Sequence, residues 1–195
     1  MPLYKTININ KTTTVFVWKI TESFEHLNSE VALNEKSNIR LRGMKSELHQ
    51  RGFLSVRKLL AQAGYSDFDL FYDETGKPHL NPKNRNTEPV EVSITQSHEF
   101  SAIIISDEKC GIDIELKREK IIRIADKFID AENVYLEKEK PEDFIRKLTV
   151  IWGAKESIFK IQNEPGISFK DHINLTSFEI KDKKTDAFLN FNGEI

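Results

Sequence analysis

The sequence predicts an α+β protein built from two similar α+β halves, residues 1–100 and 101–195. Short runs of strand-forming residues alternate with longer stretches of helical periodicity, and each half runs strand, helix, strand in similar proportions. The composition, 38% hydrophobic and 31% charged, is typical of a globular chain, and 195 residues suffice to bury a core in each half. No sequence repeat links the halves, so the duplication is predicted only as architecture.

The first half is dominated by one predicted helix, residues 34–63. Apolar residues between Phe53 and Leu60 follow helical spacing, and Gly64 is well placed to end the helix. The remaining predicted elements are strands at 15–20 and 68–72, a turn at 73–78, and a polar loop from Asn81 to Pro89 that we expect to be mobile.

The second half is predicted to begin with a hairpin and to continue with helices. Its predicted elements are hairpin strands at 102–106 and 111–116, helices at 120–138 and 141–162, and closing strands at 173–180 and 187–191. Pro141 suits the first position of the longer helix, where its missing N–H costs nothing.

Charge and cysteine content exclude several classes of protein. The net charge of −2 gives no bulk attraction to nucleic acid or to an anionic membrane. Cys110 is the single cysteine, so neither an internal disulfide nor a cysteine-based metal site can form. The N-terminus lacks a basic region followed by an apolar run, and no apolar stretch reaches membrane-spanning length. We therefore expect a cytoplasmic protein.

Residues 111–116 alternate apolar and acidic side chains. In a strand, Asp113 and Glu115 share one face, whereas Ile112, Ile114 and Leu116 share the other and would anchor the strand in the core. The acidic face is either ordinary solvent-exposed surface or a pair of ligands for a hard cation such as Mg²⁺, which prefers oxygen.

The predicted helix 141–162 carries a carboxylate on its apolar stripe. Glu156 falls four residues after Trp152 and three before Phe159. A carboxylate on a buried face must be paired, protonated or metal-bound, so Glu156 is either the partner of a buried Lys or Arg or a metal ligand. Lys160, one turn further on, either forms an ordinary ion pair with Glu156 or addresses the same ligand.

Three weaker features suit contact with a phosphate. Ser97 and His98 can both donate to anionic oxygens, whereas no acid at a recognisable spacing supports a nucleophilic triad. The turn Gly76-Lys77-Pro78 presents a lysine, although such turns are frequent and often have no function. The basic residues at 40–58, Lys45 among them, are expected to be mainly solvated, with one or two able to reach a phosphate.

Taken in order, these motifs resemble the 4′-phosphopantetheinyl transferases, and specifically the longer, two-lobed surfactin-synthetase-activating type. The specific part is Gly-Ile-Asp-Ile-Glu at 111–115 together with Trp-x-x-Lys-Glu-Ser-x-x-Lys at 152–160. Other pieces in the family's order are Gly76-Lys77-Pro78, Ser97-His98, and Phe128 with Glu132. The resemblance covers residues 40 to 170 and implies a monomer in which two α+β lobes pack as a pseudo-dimer.

The resemblance implies transfer of 4′-phosphopantetheine from coenzyme A to a serine of an apo acyl or peptidyl carrier protein, with release of adenosine 3′,5′-bisphosphate. This is the activity of a holo-[acyl-carrier-protein] synthase. By the same resemblance, Asp113, Glu115 and Glu156 hold Mg²⁺, Glu156 activates the carrier serine, and Lys160 stabilises or protonates the leaving phosphate. The coenzyme A contacts that carry over are Lys45, Lys77, Pro78, Ser97, His98, Lys155 and Lys160. Because a cation lowers the proton affinity of a bound carboxylate, the identity of the base stays open.

Three other interpretations of the sequence stay open. A non-catalytic coenzyme A-binding homologue is disfavoured because all three carboxylates and Lys160 are present. A Mg²⁺-dependent phosphohydrolase would release phosphate from small esters without a carrier protein. A protein-interaction module would keep its function and metal affinity in a Glu156→Gln variant. For a transferase, we expect the acidic carrier to contact basic or apolar surface near the junction of the lobes.

Overall fold

The computed structural model describes residues 3–81 and 90–193. The chain divides into two compact units, Met1–Ile114 and Glu115–Ile195, called unit 1 and unit 2 below. Of the loop expected to be mobile, only Asn81 falls within the described residues. Among these residues, no helix combines the length and the apolar character needed to cross a membrane.

Unit 1 consists of a four-stranded antiparallel sheet, three helices and a small hairpin. The sheet has the strand order β1-β2-β6-β5, and β3 pairs with β4 in the hairpin. The elements are β1 Leu3–Asn8, β2 Thr14–Lys19, α1 Phe24–Glu30, α2 Glu35–Gly43, α3 Glu47–Gln62, β3 Leu70–Tyr72, β4 Pro78–Leu80, β5 Glu91–Ser97 and β6 Phe100–Ser106.

The predicted helix 34–63 is two helices, α2 and α3, separated by a short break. Met44 and Ser46, on either side of Lys45, have extended backbone angles, and Ser46 is the N-cap of α3. The predicted stop is confirmed: Gly64 has a φ of 82°, and the N–H of Tyr65 reaches back to the carbonyl of Leu60 at 2.8 Å. The buried residues of α3 pack on the sheet to form the core of unit 1.

The predicted hairpin of 102–106 with 111–116 is wrong. Strand β6 has β2 on one side and β5 on the other, so neither of its edges can accept residues 111–116. Its hairpin partner is β5, joined to it through the two-residue loop His98-Glu99. Because β6 pairs with β2 and β5, unit 1 extends beyond residue 100, where the sequence predicted the boundary between the halves. The packing of two similar lobes as a pseudo-dimer stays a prediction.

Unit 2 is organised around one long helix, α4, Pro141–Gln162. The predicted bounds of this helix and the position of Pro141 in its first turn are confirmed, and Asn163, with a φ of 53°, ends it in the left-handed conformation. The other elements of unit 2 are strands β7 Ile173–Leu175 and β8 Ala187–Leu189, with 3₁₀ segments at Glu119–Lys127, Ala131–Tyr135 and Ile180–Asp182.

The predicted helix 120–138 is two of these 3₁₀ segments. Ile121 and Ile124, three residues apart, both pack against the core of unit 2, and a spacing of three matches a 3₁₀ helix better than an α-helix. The core that they cover is formed by buried apolar residues from α4, β7 and the segment around Phe128.

Candidate functional site

In unit 1, hydroxyl groups of β5 hold the segment that carries Asp113. The hydroxyl of Thr95 donates to Asp113 Oδ1 at 3.1 Å and accepts from the N–H of Ile114 at 3.2 Å. The hydroxyl of Ser93 accepts from the N–H of Ile112 at 3.2 Å. Hydrogen bonds to side-chain hydroxyls therefore take the place of the backbone–backbone hydrogen bonds that a strand at 111–116 would have made. Since side chains two apart share a strand face, Ser97 lies on the same face of β5 as Thr95.

His98 is held in an unusual backbone conformation at the end of β5. It is the first residue of the two-residue loop between β5 and β6, and its φ is 50°. The left-handed conformation is unfavourable for any residue that has a Cβ atom, whereas glycine adopts it without this cost in free energy. His98, whose side chain is exposed, therefore occupies a turn position at which glycine would make the protein more stable.

The turn that carries Lys77 is organised by Asp73. Its carboxylate Oδ1 accepts the N–H groups of Thr75 at 2.9 Å and of Lys77 at 3.0 Å, while Oδ2 lies 2.8 Å from His79 Nε2. The hydroxyl of Thr75 also donates to Asp73 Oδ1. Together these hydrogen bonds, of which that from the Thr75 hydroxyl has the largest effect, hold the pKa of Asp73 well below its ordinary value. Gly76, with a φ of 86°, supplies the positive φ that the turn requires. The turn is thus fixed ahead of Pro78, which begins β4.

Cys110 lies in the same unit with a half-buried thiol. Burial, and to a smaller extent the charge of Glu91, raise the pKa of Cys110 to about 11, although the charge of Lys77 opposes the shift. The reactive thiolate is consequently scarce at neutral pH.

We predict that Cys110 reacts slowly with thiol reagents. At pH 7.5 the folded protein should be labelled by iodoacetamide at least tenfold more slowly than the chain unfolded in guanidinium, because few molecules carry the thiolate. Peptide mass mapping of the alkylated residue gives both rates. Equal labelling rates in the two states would contradict the assignment of a protonated, shielded thiol.

In unit 2, Glu115 is anchored to the long helix. The indole Nε1–H of Trp152 donates to Glu115 Oε1 at 3.2 Å. The Trp152 ring packs edge-on against Phe128, with ring centroids 5.2 Å apart, and is tilted against Phe169, with centroids 5.5 Å apart. An aromatic platform therefore fixes the indole that holds the Glu115 carboxylate.

Glu156 and Lys160 continue along the helix from Trp152. The three residues are spaced by four, so their side chains lie on one face of α4, one turn apart. Both Glu156 and Lys160 are half-buried. Within unit 2 the structure thus brings Glu115, Glu156 and Lys160 to the same face of α4.

Of the neighbours Lys155 and Glu156, it is Lys155 and not, as expected, Glu156 that is fully buried on α4. Lys155 has no exposed surface, and its ammonium contacts three acceptors: Glu132 Oε1 at 2.8 Å and the carbonyl oxygens of Phe128 at 2.6 Å and Phe169 at 2.9 Å. An ammonium has three N–H donors, so all of them are used within unit 2. The expected contact between Lys155 and a phosphate would require one of these bonds to break, and we therefore assign Lys155 a role inside the unit.

Glu132 completes this buried pair. It too has no exposed surface, and beyond Lys155 it accepts the N–H of Leu175 at Oε1, 3.0 Å, and the N–H of Asp130 at Oε2, 3.2 Å. The sequence predicted for Glu156 either a buried cationic partner or a metal ion; the buried carboxylate that pairs with Lys155 is Glu132, which lies outside α4 and which only tertiary structure brings to Lys155.

The remaining predicted contacts lie in unit 1. Lys45 is exposed in the break between α2 and α3, and Lys77 is half-buried with its ammonium 3.8 Å from Glu91.

The sequence did not predict that Thr95 positions Asp113. The alternation of hydroxyls at Ser93, Thr95 and Ser97 was the signal that could have revealed it.

The predicted metal ligands are all carboxylates, which suits Mg²⁺. Glu115 accepts one hydrogen bond from Trp152, and a carboxylate has further lone pairs with which to bind a cation. Across residues 3–81 and 90–193, no three acidic, histidine or cysteine side chains lie close enough together to hold a metal ion. The donor chemistry therefore fits the ion, and the shared ligation of one ion stays a prediction.

One protein-family model matches part of this chain. A comparison with curated proteins yields no match to this chain. Residues 109–194 match the model of the 4′-phosphopantetheinyl transferase superfamily. The matched segment covers less than half of the chain, yet it contains Asp113, Glu115, Glu132, Lys155, Glu156 and Lys160. In this segment, the chain is similar to the 4′-phosphopantetheinyl transferase superfamily.

Proposed function

We propose that this protein transfers the 4′-phosphopantetheine group of coenzyme A to a serine of an apo acyl or peptidyl carrier protein, as a cytoplasmic monomer of the two-lobed type. The similarity of residues 109–194 to the transferase superfamily supports a phosphopantetheine transferase role in general. The observation that carries the proposal is the contact of Glu115 with Trp152, one helical turn from Glu156. Because Glu156 and Lys160 follow Trp152 at intervals of four on α4, this contact brings Glu115 to the helix face that carries them.

The proposed roles follow from the needs of the reaction. Transfer of a phosphoryl-linked group depends on positioning and on the neutralisation of developing negative charge. We assign Asp113, Glu115 and Glu156 as ligands of Mg²⁺, which when bound supplies positive charge to the diphosphate of coenzyme A. Lys160 supplies positive charge to the leaving phosphate, and Glu156 is the candidate base for the carrier serine. We assign contacts with coenzyme A to Lys45, Lys77, Pro78, Ser97 and His98.

The consumption of coenzyme A distinguishes this function from a phosphohydrolase. With Mg²⁺ and an apo carrier protein, chromatography should show loss of coenzyme A and formation of adenosine 3′,5′-bisphosphate in equal amounts. Without the carrier, neither change should occur. Phosphate release from coenzyme A in the absence of a carrier would identify a hydrolase instead.

A basic surface in unit 2 is the proposed contact for the carrier. Residues 116–127 hold five Lys or Arg side chains and two acidic ones, and Leu116 and Ile122 are 50% and 43% exposed among them. Such a surface complements an acidic partner and also offers it exposed apolar side chains.

Charge reversal should weaken carrier binding selectively. For the double substitution Lys120→Glu/Arg123→Glu, we predict at least a tenfold increase in the KM for the carrier, because attraction becomes repulsion, and an unchanged KM for coenzyme A. Steady-state kinetics at low salt measures both. Lys138→Glu/Lys181→Glu, which reverses two exposed charges elsewhere in unit 2, is the matched control. Equal effects of the two double variants would contradict a specific carrier surface.

Glycine in place of His98 should separate stability from binding. His98→Gly relieves the left-handed strain, so the protein should become more stable by roughly 1 kcal/mol. Loss of the imidazole donor should raise the KM for coenzyme A by about tenfold, the equivalent of one hydrogen bond. Urea unfolding and initial rates test the two parts. Lys183→Gly, at a φ of 58°, should give the gain in stability alone. An unchanged KM in His98→Gly would remove His98 from the binding residues.

A further inference from the structure

The buried pair of Glu132 and Lys155 has no part in the chemistry proposed above, yet it lies beside the residues assigned to it. Lys155 directly precedes Glu156 on α4. Neither side chain of the pair has any exposed surface, so no substrate reaches it in this conformation. Its function has to be exerted through the residues that it holds.

The pair connects α4 with four other parts of unit 2. The ammonium of Lys155 binds the carbonyl that follows the first 3₁₀ segment, at Phe128, and the carbonyl of Phe169 in the loop before β7. Glu132, in the second 3₁₀ segment, accepts the N–H of Asp130, which directly precedes that segment, and the N–H of Leu175, the last residue of β7. A helix rotated by one residue turns by 100° and moves 1.5 Å, which would break every bond of the ammonium at once.

The same two phenylalanines also hold Trp152. The rings of Phe128 and Phe169 pack on the indole, whereas their carbonyls bind Lys155. The indole in turn holds Glu115. Lys155 is therefore linked to Glu156 through the backbone and to Glu115 through the aromatic platform.

Stability alone does not account for such a pair. Replacing a buried ion pair by apolar residues of similar volume is often neutral or stabilising, because desolvation costs about as much as the attraction returns. What apolar packing lacks is direction: it tolerates small rotations and shifts that a set of hydrogen bonds does not.

We propose that the buried Glu132–Lys155 pair is a positioning device that sets the orientation of α4 and of Trp152, and thereby places Glu156 and Glu115 for phosphopantetheine transfer. The catalytic part of this inference rests on the proposed function. The structural part, the placement of Trp152, does not.

The test replaces both members of the pair by apolar residues, in the double variant Glu132→Leu/Lys155→Met. We expect a folded protein that loses less stability than Lys155→Met alone, because no charge stays buried although four backbone groups lose their partners. Its kcat should fall by about 10- to 100-fold, with KM values within about threefold of the parent. The matched control is Arg57→Met/Asp67→Leu, which replaces the buried 2.8 Å ion pair of unit 1 and should leave kcat unchanged.

A second readout does not depend on activity. The chain has two tryptophans, Trp18 and Trp152, so ¹H–¹⁵N spectra give two indole N–H signals, assigned with Trp18→Phe. The Trp152 signal should shift in the double variant in the direction produced by Glu115→Gln, while the Trp18 signal stays in place. A kcat within threefold of the parent, or an unmoved Trp152 signal, overturns the proposal.

Two contingencies are covered by the same readouts. If the double variant does not fold, Lys155→Arg keeps the charge but not the three-acceptor geometry, and it is judged by the same kcat and Trp152 criteria. If the parent protein transfers nothing to any carrier, the proposed function fails, and the Trp152 signal alone decides whether the pair positions α4.

Discussion

Replacement of Glu156 by glutamine is expected to lower kcat by about 10²- to 10⁴-fold, the range measured when a positioned acid or base is removed. Glutamine has the shape of glutamate but carries no charge and accepts no proton. The half-buried position on α4 should tolerate it, because the variant removes a charge without leaving a void. Asp113→Ala is expected to have an effect of similar size, since it removes a second proposed ligand.

Steady-state transfer rates and thermal unfolding followed by circular dichroism provide the check. Glu164→Gln, an exposed substitution just beyond the end of α4, is the control and should keep the parental rate. A Glu156→Gln or Asp113→Ala enzyme with near-parental kcat would contradict the assignment of these carboxylates to a metal site.

The single substitution Lys155→Met is expected to destabilise the protein by about 3–5 kcal/mol, the largest stability effect that we predict. It leaves the Glu132 carboxylate in the interior without its cation and leaves the carbonyls of Phe128 and Phe169 without their donor. The loss should be smaller in the double variant with Glu132→Leu, because no charge then stays buried, although the backbone groups that the pair bound still lack their partners.

Urea unfolding of the single and double variants measures this coupling. Lys138→Met, which removes an exposed lysine of the same unit, is the control and should change the free energy of unfolding by less than about 0.5 kcal/mol. A loss below about 1 kcal/mol for Lys155→Met would show that Glu132 is protonated or solvated when Lys155 is absent, and would contradict a tightly coupled ion pair.

The parts of the fold that the sequence predicted well are those set by local signals. The bounds of α4, the strand at β2 and the stop at Gly64 depend on helical or strand periodicity, on Pro141 and on a glycine with positive φ. The failed hairpin depended on which strands flank β6. That is decided by β2, far away in the sequence, and no local pattern reports it.

The site shows the same division. Spacing along α4 correctly placed Trp152, Glu156 and Lys160 on one helix face. The same spacing could not decide whether Lys155 or Glu156 faces the core, because the apolar stripe of the helix is wide enough to include either residue. A lysine, moreover, is usually a surface residue. The deciding contacts, from Glu132, Phe128 and Phe169, come from outside the helix.

The most direct test of the central claim is the intact mass of an apo acyl carrier protein after incubation with this protein, coenzyme A and Mg²⁺. The proposed function predicts a gain of one phosphopantetheine group, abolished by EDTA and by Glu156→Gln. Several different apo carriers that keep their mass in the presence of the folded protein, coenzyme A and Mg²⁺ would contradict it.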